Sequence, residues 1–237
     1  MKKTIRNLII AAALLSLLGS LCYWGVRIYR NMNTSKLKED MGKLEKEFDE
    51  EFSWVSIDAE SADIEIKKSD RTACVMDNVY LPNCELYAEN GRLRIIEKKP
   101  ESAELAGWRI GNSLNYADKA KITLYLPEQD YKNFDMELGT GNASIEALNA
   151  QNMVMQAGAG SIEAAEMRIG ANAAIQVSVG DIDIKKLTAE KLKIEVGTGN
   201  VKLGLMDRCE DYAVGIEGGA GRTVINGDDS LLLGGSN

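Results

Sequence analysis

Apolar and polar residues alternate along the second half of the chain in stretches that each end near a glycine. The residues seven, five and three positions before each glycine are apolar, whereas those between them are mostly polar. The glycines, 19 or 20 residues apart, are Gly141, Gly160, Gly180, Gly199 and Gly219, and the apolar positions are Phe134, Met136, Leu138, Met153, Met155, Ala157, Ala173, Ile175, Val177, Leu192, Ile194, Val196, Tyr212, Val214 and Ile216. A period of two predicts β-strands that bury one face.

The alternation resumes after each glycine, which predicts a second strand per repeat. The inward positions of these strands are Ala143, Ile145, Ile162, Ala164, Ile182, Ile184, Val201 and Leu203, and the residues expected to fill the next corner are Leu148, Met167, Leu187 and Met206. An internal period of about 20 residues is typical of stacked-coil architectures. The sequence therefore predicts an all-β fold, a parallel β-solenoid of about 20-residue coils.

The turn between the two strands is nearly the same in two repeats, Gly139-Thr-Gly-Asn142 and Gly197-Thr-Gly-Asn200. Glycine and asparagine are expected to supply positive backbone φ angles at these corners. The same frame fits Val55 to Ile66 with Ala62 in place of the glycine. Between residues 71 and 127 the frame is irregular, and we expect further strands of the same body there, with the longest loop at residues 98–119.

The N-terminal region carries a different pattern, an uncharged and mostly apolar run over residues 7–26. This length suffices for a membrane-spanning helix, and Tyr23 and Trp24 stand at its far end, where aromatic rings favour the membrane interface. The pattern predicts a cytoplasmic tail at residues 1–6 and a transmembrane helix at residues 7–29. A cleaved signal peptide and lipid attachment at Cys22 are the alternatives.

Basic residues flank this run on both sides, so charge does not fix its orientation. The short tail and the long acidic region that follows favour an inside N-terminus, a single-pass protein of the cell membrane and an extracytoplasmic C-terminal domain. Residues 30–52 are predicted to form a helical stalk because Leu37, Met41, Leu44 and Phe48 follow helical spacing. Residues 53–237 make up the extracytoplasmic β-solenoid domain.

Composition and charge narrow the range of functions. The chain of 237 residues contains no histidine, which excludes the Ser-His-Asp triad and histidine-ligated zinc or haem. Residues 31–237 carry 23 basic and 36 acidic side chains, and such an acidic body makes nucleic-acid binding unfavourable. The glycine turns lack the sequence of a phosphate-binding loop. We therefore predict no nucleic-acid partner, no cofactor and no metal.

Catalysis by paired carboxylates is a remote alternative. Asp181 and Asp183 flank Ile182 on an outward strand face, and β-helix glycosidases use two carboxylates to divide acid and base work. Solvated carboxylates on an outer face explain the same pattern, and we predict no catalytic residues. Cys74 and Cys84 flank a turn, where a disulfide bridge and two free thiols are both compatible with the sequence.

Aromatic residues outside the alternating pattern are candidates for partner binding: Trp54, Trp108, Tyr116 and Tyr131. Trp108 lies in the long irregular loop, where a large aromatic ring can anchor a partner. It is the predicted partner-binding residue.

The stretch Ile122-Thr-Leu-Tyr-Leu-Pro127, followed by Phe134-Asp-Met-Glu-Leu-Gly-Thr-Gly141 and its copies, resembles the bacterial "putative adhesin" domain of β-strand repeats. The LiaG-like membrane proteins belong to that family. The resemblance covers roughly residues 53–235 and implies a membrane-anchored, toastrack-like β-solenoid of the kind common in Gram-positive bacteria, without established catalytic residues. It implies an envelope-stress accessory protein with membrane-bound partners, or an adhesin that binds cell-wall polymer or another cell.

Overall fold

The computed structural model describes residues 39–99, 103–105, 108–110, 119–206 and 213–226, together with positions 16, 19, 20, 23–25, 27 and 28. The described strands are β1 (Met41–Phe48), β2 (Trp54–Ala59), β3 (Ala62–Lys68), β4 (Thr72–Tyr80), β5 (Cys84–Glu89), β6 (Arg92–Glu97), β7 (Ala103–Leu105), β8 (Trp108–Ile110), β9 (Ala120–Leu126), β10 (Tyr131–Thr140), β11 (Ala143–Ala159), β12 (Ile162–Val179), β13 (Ile182–Thr198), β14 (Val201–Leu205), β15 (Ala213–Ala220) and β16 (Thr223–Ile225). A 3-10 turn at Leu81–Asn83 joins β4 to β5. The predicted all-β class is confirmed.

The strands stack in two rows, which we call the first face and the second face. The first face runs β5, β6, β2, β10, then the C-terminal halves of β11, β12 and β13, and then β15. The second face runs β1, β4, β9, β3, then the N-terminal halves of β11, β12 and β13, and then β14 and β16. Each coil contributes one strand to each face, and the long strands β11, β12 and β13 bend from one coil into the next.

The apolar positions predicted before Gly141, Gly160, Gly180 and Gly199 are all buried, and so are the eight predicted after them. The equivalent residues of successive coils are direct neighbours, as in the series Met136, Met155, Ile175 and Ile194. Parallel pairing in register places like side chains above one another and leaves the alternate residues outside. The core is therefore a continuous column between the two faces.

The early repeat around Ala62 is confirmed, but its position in the stack does not follow chain order. Val55 pairs with Phe134, and Ile64 pairs with Ala143, so this coil lies beside the coil that begins at β10. On its other side it pairs with β6 and β9. Strands β4, β5, β6 and β9 of the irregular region thus complete this end of the stack, where β5 and β4 add antiparallel strands.

The predicted alignment of the last coil is wrong by two residues. Leu192 pairs with Val214 rather than Tyr212, and the amide of Gly199 donates to the carbonyl of Ala220, the residue before Gly221. Gly221, not Gly219, is therefore the corner glycine of this coil. A shift of two residues keeps every inward position inward, so alternation alone cannot detect it.

The corner residue predicted for the coil after Gly199 is also wrong, by one position. Leu187 pairs with Leu205, which is buried, whereas Met206 is 39% exposed. The register shifts between Ile184 and Leu187, because β14 has one residue fewer than β13 at this corner. Both candidates are apolar, so composition did not distinguish them.

The predicted helical stalk at residues 30–52 is wrong from residue 41 onward, because residues 41–48 form strand β1 and residues 49–52 are not helical. Leu44 packs against the core and Phe48 is buried. A spacing of four residues keeps two side chains on one face of a helix and also on one face of a strand. The open edge of β4 gives β1 a hydrogen-bonding partner that a helix could not use.

Residues 42–100 and 116–237 form one compact unit, and residues 1–41 and 101–115 form another. Most of the predicted transmembrane helix at residues 7–29 lies outside the described residues. Within the part of the chain that the structure describes, no helix is long and apolar enough to span a bilayer. The predicted loop at residues 98–119 contains a small antiparallel sheet of β7 and β8.

Candidate functional site

The corner between the two faces is built on glycines with positive φ. Gly141, Gly160, Gly180, Gly199 and Gly221 have φ angles between 140° and 148°. At Gly180 a Cβ atom would also overlap the carbonyl oxygen of Gly160 in the neighbouring coil. Asn142 and Asn200 do not have positive φ, contrary to the sequence prediction. Their side chains instead accept hydrogen bonds from the next coil.

A ladder of hydrogen bonds between side chains and backbone runs along the corner from coil to coil. Each side chain of the ladder accepts a hydrogen bond from the backbone N–H of its equivalent in the next coil, at 2.6 to 3.3 Å. The accepting residues in order are Asp63, Asn142, Ser161, Asp181 and Asn200, and the backbone N–H of Arg222 is the last donor. The ladder satisfies backbone donors at a position where the chain reverses and fixes the register of the coils.

The carboxylates considered for catalysis are used structurally. Oδ1 of Asp181 accepts hydrogen bonds from the backbone N–H and from Nδ2 of Asn200, at 2.6 and 3.1 Å. Oδ2 of Asp183 lies 3.5 Å from Nζ of Lys202. Asp181 therefore belongs to the corner ladder, and Asp183 lies on the second face beside Lys202.

A groove of about 470 Å³ runs along the second face and is lined by both acidic and basic residues. Glu65 lies in it with Nζ of Lys121 at 2.8 Å and Nζ of Lys67 at 3.2 Å, and the hydrogen bond from Lys121 holds the pKa of its carboxyl below the usual 4.5. Glu163, Asp183 and Lys185 continue the groove. Among the described residues, no group of three acidic or cysteine side chains is arranged to hold a metal ion.

The predicted aromatic candidates differ in their surroundings where the structure describes them. Trp108 begins β8 in the small β7–β8 sheet. Tyr131 is 1% exposed and stacks on Phe52 with ring centroids 6.0 Å apart, so it is a core residue. Tyr116 lies outside the described residues. Trp54 is half-buried on the first face, where it belongs to a polar cluster.

That cluster, which we call the arginine patch, consists of Trp54, Arg92 and Arg94 with Asp135 beside them. Nε1–H of Trp54 donates to Oδ2 of Asp135 at 2.6 Å, and the guanidinium of Arg92 lies 3.5 Å from the centroid of the Trp54 ring. Arg94 follows Arg92 on the same side of β6. Sequence reasoning missed both arginines. The signal was the alternation Arg92-Leu93-Arg94-Ile95, which places two cations outward on one strand.

Cys74 and Cys84, the two cysteines among the described residues, are free thiols. Burial raises the pKa of Cys74 to about 12, and burial together with the charge of Glu97 raises that of Cys84 to about 11. Both therefore remain protonated at neutral pH. The disulfide alternative does not hold, and neither thiol has the thiolate character of a nucleophile.

Stacked parallel strands joined at glycine corners define a class of β-repeat proteins. A comparison with known families identifies the family within this class. The chain belongs to the Toastrack DUF4097 family, whose model matches residues 52–207. The predicted resemblance is thus confirmed. No curated protein sequence matches the chain.

Solved structures from Parabacteroides and Bacteroides species are similar to this chain in fold. A putative adhesin from Parabacteroides distasonis has 11% identity and a TM-score of 0.39, with 77% of this chain and 81% of that chain covered. A putative adhesin from Bacteroides fragilis has 15% identity and a TM-score of 0.34, with 76% and 96% covered. A putative lipid binding protein from Parabacteroides distasonis has 13% identity and a TM-score of 0.23, with 77% and 97% covered.

Proposed function

We propose that this protein is a membrane-anchored, extracytoplasmic β-solenoid that binds or senses a component of the cell envelope and catalyses no reaction. Its coils of about 20 residues follow an N-terminal membrane helix. The observation that carries the proposal is the in-register stacking of the coils, which repeats polar side chains along each face about every 4.8 Å. Such a surface suits an extended partner better than a small substrate.

The use of the polar side chains supports binding over catalysis. Asp181 accepts hydrogen bonds from the next coil, and Asp183 is paired with Lys202. Both described thiols are protonated at neutral pH. A nucleophile with an adjacent base, which covalent catalysis needs, is not found among the described residues.

The apolar run at residues 7–26 and the acidic body support an envelope location. In this setting the protein acts as an accessory of the envelope-stress response that contacts a membrane-bound partner. The topology is tested by reporters fused after Asn237. A reporter active only outside the cytoplasm gives signal, and one active only in the cytosol stays silent; the reverse pattern overturns the proposed orientation.

The anchor is tested by removal of residues 1–30. The described core starts at Phe48, so the shortened chain is expected to fold and to leave the membrane fraction. A shortened chain that remains with the membrane would show that the anchor lies elsewhere.

Partner binding is tested by crosslinking and pull-down from membranes, with Trp108→Ala as the variant and Trp108→Phe as the control that keeps an aromatic ring. We expect Trp108→Ala to lose a partner that Trp108→Phe retains. An unchanged partner profile would remove Trp108 from the site. Turnover of cell-wall glycans by the wild type that disappears in the Asp181→Ala, Asp183→Ala double variant would overturn the absence of catalysis.

A further inference from the structure

We propose that the arginine patch on the first face binds the oxyanions of an anionic glycopolymer, that is, phosphate or carboxylate groups carried on a chain of sugars or polyols. The inference rests on the proposed binding function and names the chemical class of the ligand. It assigns Arg92 and Arg94 as the anion-binding groups and Trp54 as the ring that positions Arg92.

Arg92 is held in a defined orientation. The pairing of β2 with β6 places it beside Trp54, and its guanidinium lies over the indole at 3.5 Å. The indole itself is fixed by the hydrogen bond from Nε1 to Asp135. A stacked guanidinium keeps its N–H groups in its own plane, where they are available to the two oxygens of a phosphate or carboxylate.

Arg94 supplies the second guanidinium, and it has a donor that lacks an acceptor. It lies between Ser56 of β2 and Tyr87 of β5 in the sheet register. Its Nε atom is shielded from solvent and has no hydrogen-bond partner. A buried donor without a partner is unfavourable, and native proteins rarely leave one. An oxyanion bound at the patch would satisfy this donor.

Both arginines also lack a carboxylate partner among the described residues, although the chain has 36 acidic against 28 basic side chains. Two other arginines of the body differ in this respect: Arg71 pairs with Glu47, and Arg168 pairs with Glu166. Two adjacent guanidiniums left unpaired in an acidic protein indicate that their counter-ion comes from outside the chain.

The surroundings favour a polymer over a lipid surface. Ser56, Asp58 and Asp135 border the patch on the same face. Among the large apolar side chains that are exposed on the described strands, Val154 neighbours Asp135 and Val179 lies further along the stack, so these residues do not surround the arginines. Binding to a bilayer requires several cations and an apolar surface, whereas the patch offers two arginines with Asp135 beside them. A single anionic group on a flexible polymer can reach two arginines without bringing the whole protein close to a charged surface.

The residues next to the patch along the first face also favour a polymer as the ligand. Uncharged amide side chains continue from Arg92 along the stack, because Arg92 pairs with Trp54 and the same row then runs through Asn133, Asn152 and Asn172. Amide groups donate hydrogen bonds to the hydroxyls of a sugar or polyol and accept hydrogen bonds from them. An anionic unit held at the arginines would leave the next units of the chain over this row.

The test measures binding of poly(glycerol phosphate) and of polygalacturonate to the full-length protein in detergent by calorimetry, with neutral dextran as a reference. The Arg92→Gln, Arg94→Gln double variant is expected to weaken binding to at least one anionic polymer by about 10-fold or more, the loss expected when charge-assisted hydrogen bonds are removed. The two polymers distinguish phosphate from carboxylate.

The matched control is the Lys191→Gln, Lys193→Gln double variant. It removes two cations with the same spacing from the same face, but Lys193 is paired with Glu195 and no aromatic ring lies against either lysine in the register of β13. We expect its affinity to stay within about 2-fold of the wild type. Equal losses in both double variants would mean non-specific charge attraction and overturn the site.

Arg94→Lys keeps the charge but lacks the planar fork, so it is expected to bind at least about 3-fold more weakly if the guanidinium geometry matters. Melting curves of each variant control for folding, and Arg94→Lys remains informative if the glutamine variant does not fold. Wild-type affinity for phosphatidylglycerol vesicles above that for both polymers, lost on Arg92→Gln, Arg94→Gln, would assign the site to lipid instead. Absence of polymer binding while the membrane partner is still captured would overturn this inference alone and leave the proposed function intact.

Discussion

The backbone N–H of Asn200 donates a hydrogen bond of 2.6 Å to Oδ1 of Asp181, the equivalent position of the preceding coil. The same relationship recurs along the corner from Asp63 to Arg222. Asp181, which the sequence suggests is a solvated surface carboxylate, therefore stabilises the contact between two coils. Its contribution to the free energy of unfolding can be measured.

Asp181→Ala is expected to lower the free energy of unfolding by about 1 kcal/mol, because it removes an acceptor used by two donors of Asn200. Asp183→Ala is the matched control. Its carboxylate is partly exposed and meets Lys202 only at 3.5 Å, so we expect a change within about 0.5 kcal/mol. Urea denaturation of both variants checks this, and equal effects would show that the ladder does not stabilise the corner.

Gly180→Ala is expected to destabilise the protein by several kcal/mol. Its φ angle of +144° is unfavourable for alanine, and the added Cβ would overlap the carbonyl oxygen of Gly160. Gly215→Ala is the control, because a Cβ at Gly215 meets no atom within 4 Å. Thermal melting of the two variants should differ strongly, and similar melting temperatures would contradict the close approach of the coils.

Ile194→Asp and Glu195→Lys test the alternation of one strand. Ile194 is fully buried, so an aspartate there places an unpaired charge between stacked coils and is expected to cost several kcal/mol. Glu195 faces outward and pairs with Lys193, so its replacement is expected to cost roughly 0.5 kcal/mol or less. If both variants shifted the denaturation midpoint equally, the assignment of inner and outer positions on β13 would be wrong.

The lowered pKa of Glu65 predicts that the free energy of unfolding depends on pH. The hydrogen bond from Lys121 lowers the pKa of its carboxyl in the folded state below the usual 4.5. The unfolded state therefore takes up the proton first, and the stabilisation present above pH 4.5 is lost as the pH falls through the folded-state value. Denaturation curves between pH 5 and about pH 3 should show a weaker pH dependence for Glu65→Gln than for the wild type.

Lys121→Met serves as the partner variant in that experiment. It removes the first cause of the lowered pKa but leaves Lys67 at 3.2 Å from Glu65. Its pH dependence is expected to fall between those of the wild type and Glu65→Gln. Identical profiles for all three proteins would show that this ion pair does not contribute to stability.

The sequence by itself determined which side chains are inside. Ile194 and Glu195 are adjacent, and their opposite burial follows from a period of two that needs only the local geometry of a strand. The all-β class and the glycines at most corners follow for the same reason, since each coil repeats the same local chemistry. Even the coil around Ala62 was recognisable, although it lies far from the other copies in the chain.

Only the tertiary structure decided how these strands meet. It selected Gly221 over Gly219, because a shift of two residues preserves the alternation and the choice depends on which glycine fits against Gly199. It also made residues 41–48 a strand, because the edge of β4 was open to pairing. The arginine patch arises in the same way: Trp54, Arg92 and Asp135 belong to different strands, and only non-local pairing of β6, β2 and β10 brings them together.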